Sequence, residues 1–447
     1  MLVNYDTSFN MLWIIFSCVA CALVISVQKK NLLLPFLLTA LYIPDVPRVV
    51  IFGLNFTILR VLLFFCFARL ILNREIPRLS FNEIDKILIS WVIASVILNT
   101  VLWGTLKAFQ FKMGFMYDVL GIYFLFRFII NGYDDINEIY KVLAIIICPL
   151  ALIMVYEMLT GFNPYSYLGG VPQYGEIREG SYRCQGPFRT PILAGTFGAT
   201  SMPLFVALYY SQINNNNKKI LPVLGIVSSV IIVIASHSSG PLLTLICAVL
   251  GLIFWKFRDK MKMVLWGLLL SLIGLHIYMK APVWYIFARF GDIVGGGGWH
   301  RSEIINQAIE HFGEWWLIGT KKTDHWMGVA LSINPDSADI TNAYVGNGMD
   351  GGILVLILFV LIIVIGFAGL GRAKKTEIQH PLGNRFCIWA VGASLFSHVI
   401  TFFHVSYFDQ MTVFWYMLLA IIASIIFIHE GSCLENMEYA ETNEAMP

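Results

Sequence analysis

Two short stretches of this sequence put arginines beside residues that start helices. The first, GSYRCQGPFRTPILAG, carries Arg183 and Arg189 just ahead of Pro191. Proline lacks an N–H and suits the first helical turn, where that N–H has no partner anyway. Arg189 therefore falls at a helix N-terminus. The second stretch, GGGGWHRSEIINQAIEHF, opens after four glycines. Ile304, Ile305, Ala308, Ile309 and Phe312 then recur at helical spacing. Ser302 is the expected cap and Glu303 suits the first turn, so Arg301 also falls at a helix start. A guanidinium beside the positive end of a helix dipole suits a phosphate group. Arg189 and Arg301, with Arg183 close by, suit a diphosphate, whose charge grows as it leaves. The competing reading is plain: flanking arginines that meet lipid headgroups or water.

The second stretch continues GEWWLIGTKKTDHW. Indole faces stack on sugar rings, which makes Trp315 and Trp326 candidates for holding a glycan, with Trp316 beside them. Interfacial tryptophans also anchor membrane proteins. A histidine that titrates near neutrality can take a proton from an attacking hydroxyl. His325 and Asp339 are the candidate bases, with His300 and His311 competing. The turn Ser236-His237-Ser238-Ser239-Gly240-Pro241 either bonds a substrate or caps two helix ends. Of the eight cysteines, only Cys184 falls in a loop expected outside. No structural disulfide is expected there, and no Cys/His spacing suggests zinc. No metal and no cofactor is assigned.

These residues need a frame, and composition says which. The chain has 447 residues, 58% hydrophobic and only 13% charged, against about 25% charged in soluble domains. Apolar segments at 9–28, 31–44, 56–73, 86–103, 113–131, 138–158, 191–211, 220–236, 239–256, 262–280, 349–370, 386–404 and 411–429 are bilayer spans. The expected fold is all-α, a polytopic transmembrane bundle of 12–14 spans forming one membrane domain over 1–447. The N-terminal MLVNYDTSFN has no Lys or Arg, so the first apolar run is read as a retained helix. Lys29–Lys30, Arg74, Arg78, Lys218–Lys219, Lys256, Arg258, Lys260, Lys262 and the Arg372–Lys375 run load one face with base. That face is expected to be cytoplasmic. The loops 159–190 and 280–348 then face outward, and 430–447 is a disordered cytoplasmic tail. Arg60 and Asp118 lie inside spans, where a charge is a functional candidate unless it snorkels. No basic domain or stripe points to nucleic acid.

In order and spacing, these features resemble the O-antigen ligase and polymerase superfamily, bacterial polytopic enzymes of the GT-C type. The resemblance covers roughly the last two thirds of the chain. It rests on the loop ending GPFRTPILAG, the SHSSG turn between two spans, and the long loop with an arginine-bearing helix, which closes in DITNAYVGNGMDGG. It implies metal-independent transfer or polymerisation of an undecaprenyl-diphosphate-linked oligosaccharide at the periplasmic face of the bacterial inner membrane. The donor and a glycan acceptor are the implied partners, with a chain-length regulator as a further one. Arg189 and Arg301 stand where the family's diphosphate-holding arginines stand. Ligases carry a His-Asn pair near the end of the long loop; here Thr341-Asn342 stands there, and His237 replaces an arginine of the short turn. These departures favour a polysaccharide polymerase over ligase-type transfer to a different acceptor. A flippase for the same lipid-linked sugar is the rival class. Internal repeats and midplane charges would mark it; the chain has no evident repeat.

Overall fold

The computed structural model describes residues 11–51, 54–77, 79–178, 180–212, 218–286, 288–289, 298–326, 339–375 and 380–444. In chain order the helices are α1 (Met11–Ser26), α2 (Leu33–Tyr42), α3 (Ile58–Leu72), α4 (Glu83–Trp103) and α5 (Leu106–Ile129). They continue as α6 (Tyr133–Thr160), α7 (Pro191–Ser211), α8 (Ile220–Ala235), α9 (Ser239–Ile253) and α10 (Met261–Tyr278). The long loop contributes α11 (Gly298–Glu310) and α12 (Phe312–Trp315), and the chain ends with α13 (Ala343–Ala373), α14 (Arg385–Thr401) and α15 (Gln410–Glu444). Every apolar segment read from the sequence is a helix, and the fold is an all-α, multi-span membrane bundle. By length and composition, α4, α6, α7, α13, α15 as far as Glu430 and the joined stretch Ser239–Tyr278 can each cross a bilayer. Lys256 to Lys260, expected in a basic turn between two spans, lie in a tightened 3-10 stretch, Phe254–Lys260, linking α9 to α10.

Lipid is the solvent these helices need. α10 has no buried residue and exposes Leu265, Trp266, Leu269, Leu270, Ile273 and Ile277 around its surface. A helix apolar all round is stable in hydrocarbon, not in water. α7 is the opposite case, buried along most of its length and packed on α8, α9 and α14. Its small residues Ala194, Gly195, Gly198 and Ala199 let neighbouring backbones approach closely.

Two hairpins interrupt the helices: β1 (Arg48–Ile51) with β2 (Leu54–Thr57), and β3 (Glu176–Arg178) with β4 (Ser181–Arg183). The polar run DITNAYVGNGMDGG, read as the end of a loop, is largely helix. The Asn342 carboxamide accepts hydrogen bonds from the N–H groups of Tyr344 and Val345 and starts α13 there. α13 kinks at Gly351 and Gly352. Gly352 has φ +73°, and a Cβ on it would meet the carbonyl oxygen of Trp316 at 2.8 Å. Glycine thus lets the long loop dock by backbone contact, with the Ile353 N–H donating to Trp316 O at 2.8 Å. The backbone of α15 is helical through Glu444, across most of a tail expected to be disordered. Its Leu, Glu, Met and Ala are good helix formers continuing an existing helix, which needs no new nucleus.

Several charges inside the bundle are paired. Arg60 and Asp118, each a functional candidate from sequence, bind one another through two hydrogen bonds of 2.8 and 2.6 Å. Lys112 of α5 pairs with Asp350 of α13, whose carboxylate also receives Ser95 and Asn99 of α4. At the opposite, basic end, Arg127 grips Asp85 in a fork of two 3.1 Å bonds, with both side chains about 1% exposed. Arg127 also donates to Ser424, and Asp85 closes a capping box with Asn82 at the start of α4. This knot joins α4, α5 and α15.

Removing one member of such a pair strands the other in hydrocarbon. Arg127→Leu is expected to cost about 3–5 kcal/mol. The measurement is thermal unfolding in nanodiscs. An unchanged midpoint would mean that the knot contributes nothing.

Candidate functional site

The first loop is a rigid frame. The Glu157 carboxylate, at the end of α6, accepts the backbone N–H groups of Gln185 and Gly186 at 3.1 and 2.9 Å. Asn163 donates to Gly186 O, Gln410 donates to Pro187 O, and the Cys184 N–H donates to Ala235 O at the end of α8. The described cysteines, Cys184 among them, are all free. The last bond ties the loop to the serine turn that follows α8. There His237 has φ +40°, uncommon for a non-glycine residue, and its side chain is exposed.

Arg183 and Arg301 converge on this turn from two distant loops. Arg183 sits at the end of β4, about nine-tenths buried. It donates to Ser238 Oγ at 3.0 Å and to Glu176 at 2.7 Å, and its Nε is buried without a partner. Arg301, in the first turn of α11, reaches Ser239 Oγ at 3.5 Å, a marginal contact. It has no carboxylate partner among the described residues. Burial, with the charges of Arg178 and Arg183, lowers the Arg301 guanidinium to about 10. Three arginines thus share a corner whose one carboxylate partner in contact among the described residues, Glu176, is 65% exposed. The corner is also the start of α9, whose Ser238 N-cap makes no side-chain capping bond. Orphan N–H groups at a helix start and clustered guanidinium groups together make an anion site.

His404, not singled out from sequence, is buried under this turn. Its Nδ1 donates to Thr401 O and its Nε2 then accepts from Thr244. Both ring nitrogens are occupied, one as donor and one as acceptor, which is the neutral form of the ring. His404 therefore supports the start of α9 as a neutral ring. Position 240, a glycine, lies against that ring.

Other residues named from sequence lie elsewhere. Arg189 precedes α7, where Thr190 is the N-cap and Pro191 opens the helix. It faces Asp409 at 3.7 Å and the Phe408 ring. Burial pushes the Asp409 carboxyl up to about 6, against the lowering pull of Arg189 and Arg48. His325 donates to Glu314, which also binds His311. His311 directly follows α11, and ten residues of helix place it about 15 Å from Arg301. Trp315 and Trp326 are buried with Ile304 and Ala308 in a small core under the loop. Their indole N–H groups donate to Ala308 O and Glu314. The exposed indoles there are Trp299 and Trp316. Ser302 is not the cap of α11. The helix begins at Gly298, and the Ser302 hydroxyl donates back to Gly298 O and Trp284 O.

Asp339 meets the site through its backbone. Its carbonyl oxygen is 3.1 Å from His300 Nε2, next to Arg301. That bond makes Nε2 the donor and leaves Nδ1 with a lone pair. Nδ1 is buried with no hydrogen-bond partner. Of the histidines weighed from sequence, His300 directly precedes Arg301 and keeps an unused acceptor.

No protein-family model matches this chain, and no curated protein matches it either.

The turn depends on a close approach by α7. A Cβ on Gly195 would lie 2.7 Å from the Pro241 side chain, at the start of α9. Gly195→Ala is therefore expected to displace Ser238 and Ser239 at a cost of about 1–3 kcal/mol. It should weaken inorganic diphosphate binding, read by calorimetry on the protein in nanodiscs, although no charge changes. Unaltered affinity would show that the turn is not part of the anion site.

Proposed function

We propose that this chain is a glycosyltransferase that polymerises undecaprenyl-diphosphate-linked oligosaccharide units at the periplasmic face of the bacterial inner membrane. One observation carries the reading: Arg183 and Arg301, from two separate loops, meet at the start of α9, and Arg301 has no carboxylate partner among the described residues. A lipid-linked diphosphate is an anion that arrives at a membrane face, and guanidinium forks suit its oxygens. The resemblance in motif order supports the same class of donor.

The chemistry follows from these positions. A hydroxyl of the acceptor glycan attacks the anomeric carbon of the donor. The bond from that carbon to the diphosphate oxygen breaks, and undecaprenyl diphosphate departs with the electron pair. Arg301 and Arg183 neutralise the growing charge, with the hydroxyls of Ser238 and Ser239 beside them. His300 Nδ1 takes the hydroxyl proton, its tautomer held by the Asp339 carbonyl. Asp339, named as a base from sequence, acts here through that carbonyl. Trp299 and Trp316 offer open indole faces for sugar. Arg189, paired with Asp409, guards the neighbouring start of α7 as a further phosphate contact. Holding two lipid-tethered chains in line supplies much of the remaining rate. A chain-length regulator is a natural partner for such an enzyme.

The reading is tested with the protein in nanodiscs and an undecaprenyl-diphosphate oligosaccharide. A ladder of products is expected. Arg301→Ala should lower turnover about 10²–10³-fold, the loss typical of one charge-stabilising donor. His300→Gln should lower turnover about 10²–10⁴-fold, the range typical of losing a general base. One transfer to a different acceptor would mean ligase-type chemistry. Flipped donor without product in proteoliposomes would overturn the enzyme reading in favour of a flippase.

A further inference from the structure

The far end of α11 carries a cluster that the proposed transfer does not use. His311, Glu314 and His325 turn one ring nitrogen, one carboxylate and one ring nitrogen toward a common point, with these ligand atoms all within 4.8 Å of one another. His311 Nδ1 lies 2.7 Å from Glu314 Oε1, and His325 Nε2 lies 2.9 Å from Glu314 Oε2. The two imidazoles stand edge to face, with ring centroids 4.9 Å apart.

We propose that these three side chains form a binding site for a divalent zinc-like cation, a clip that fixes the loop helix α11 to the 324–326 turn. The donor set is two imidazoles and one carboxylate, the mixture that borderline cations such as Zn²⁺ select. Edges of a zinc tetrahedron measure about 3.3 Å, so the two N···O pairs need open by only about 0.5 Å. Three protein ligands leave the fourth position to water.

The surroundings are those of a ligating site rather than a loose surface group. The Trp326 indole N–H donates to Glu314 Oε2 at 3.2 Å, which fixes the carboxylate. Asp324 Oδ1 lies 3.7 Å from His325 Nδ1, the nitrogen turned away from the common point. That is beyond hydrogen-bond range, and a small turn of the ring on cation binding would bring the carboxylate behind His325, where it sets the tautomer of a metal ligand. The His311 ring lies nearly parallel to Trp326, at 11° and 5.5 Å, so its orientation is also set. Trp326 itself is only 3% exposed. Sequence spacing hides the site, because His325 is eleven residues beyond Glu314 and returns only through a turn.

The consequence is mechanical. Cation binding would tie the end of α11 to the turn after Lys322 and stiffen the helix whose first turn carries Arg301. The cation stands about 15 Å along the helix from that arginine, too far to touch the same anion.

The inference is independent of the glycosyltransferase reading and is tested without substrate. Protein in nanodiscs is stripped with chelator and titrated with Zn²⁺ by calorimetry, then with Co²⁺ by visible absorption. One equivalent should bind, with the absorption of a low-coordinate Co²⁺ site. His325→Ala and His311→Ala should each abolish that absorption, while Asp324→Asn weakens binding about 10-fold or more. Zinc should also slow proteolysis of the long loop in the wild type and not in His325→Ala. The helical circular dichroism of each variant checks folding. No saturable binding to the wild type, or equal binding by the His311→Ala/His325→Ala double variant, would overturn the proposal.

Discussion

A buried guanidinium group costs several kcal/mol unless something pairs it, and like charges beside it raise that cost. Arg301 sits near Arg178 and Arg183, and burial with these neighbours draws it down to about 10. Such a corner does not hold itself together. Glu157, Asn163 and Gln410 fix the first loop from behind through its backbone. The serine turn meets both arginines from below, with His404 under it. The close contact of α7 with α9 at Gly195 sets the height of that turn. Each of these contacts places positive charge where an anion completes it.

The rest of the bundle follows the ordinary rule for charge at membrane depth, and the contrast defines the site. Arg127 has Asp85, Arg60 has Asp118, and Lys112 has Asp350. These pairs join helices and leave no net charge for a ligand to answer. The Arg183 and Arg301 corner is built of the same residue types with one carboxylate in contact, and that one is largely exposed. The difference lies in position. Paired charges lock the walls of the bundle, and surplus charge is kept at the loop face, where the proposed lipid-tethered diphosphate would arrive.

Much of this was legible in the sequence because bilayers impose a simple pattern. Every apolar run became a helix, Arg189 and Arg301 could be named from their helix-start surroundings, and Arg183 was named only as their neighbour. What could not be read were contacts made across hundreds of residues. Asp350 reads as the second residue of the span 349–370, and nothing local shows that it faces Lys112 from a helix begun eight residues earlier at Asn342. Arg60 and Asp118 each read as lone charges, because pairing 58 residues apart leaves no local signature. Trp315 and Trp326 read as open platforms, yet they pack a small core with Ile304 and Ala308. A tryptophan's neighbours on the apolar face of α11 were the available hint. His300, which competed with His311 behind His325 in the sequence, stands out only once its partner carbonyl and its unused nitrogen are known.

The central claim is that surplus positive charge at the serine turn is completed by a diphosphate. The most direct measurement is an electron cryomicroscopy map of the protein in nanodiscs with undecaprenyl diphosphate. The expected result is diphosphate density within hydrogen-bond reach of Arg301, Arg183 and the Ser238–Ser239 hydroxyls, with the lipid tail leaving between helices. Arg301 engaged instead by a carboxylate of its own chain, with the diphosphate elsewhere, would contradict it.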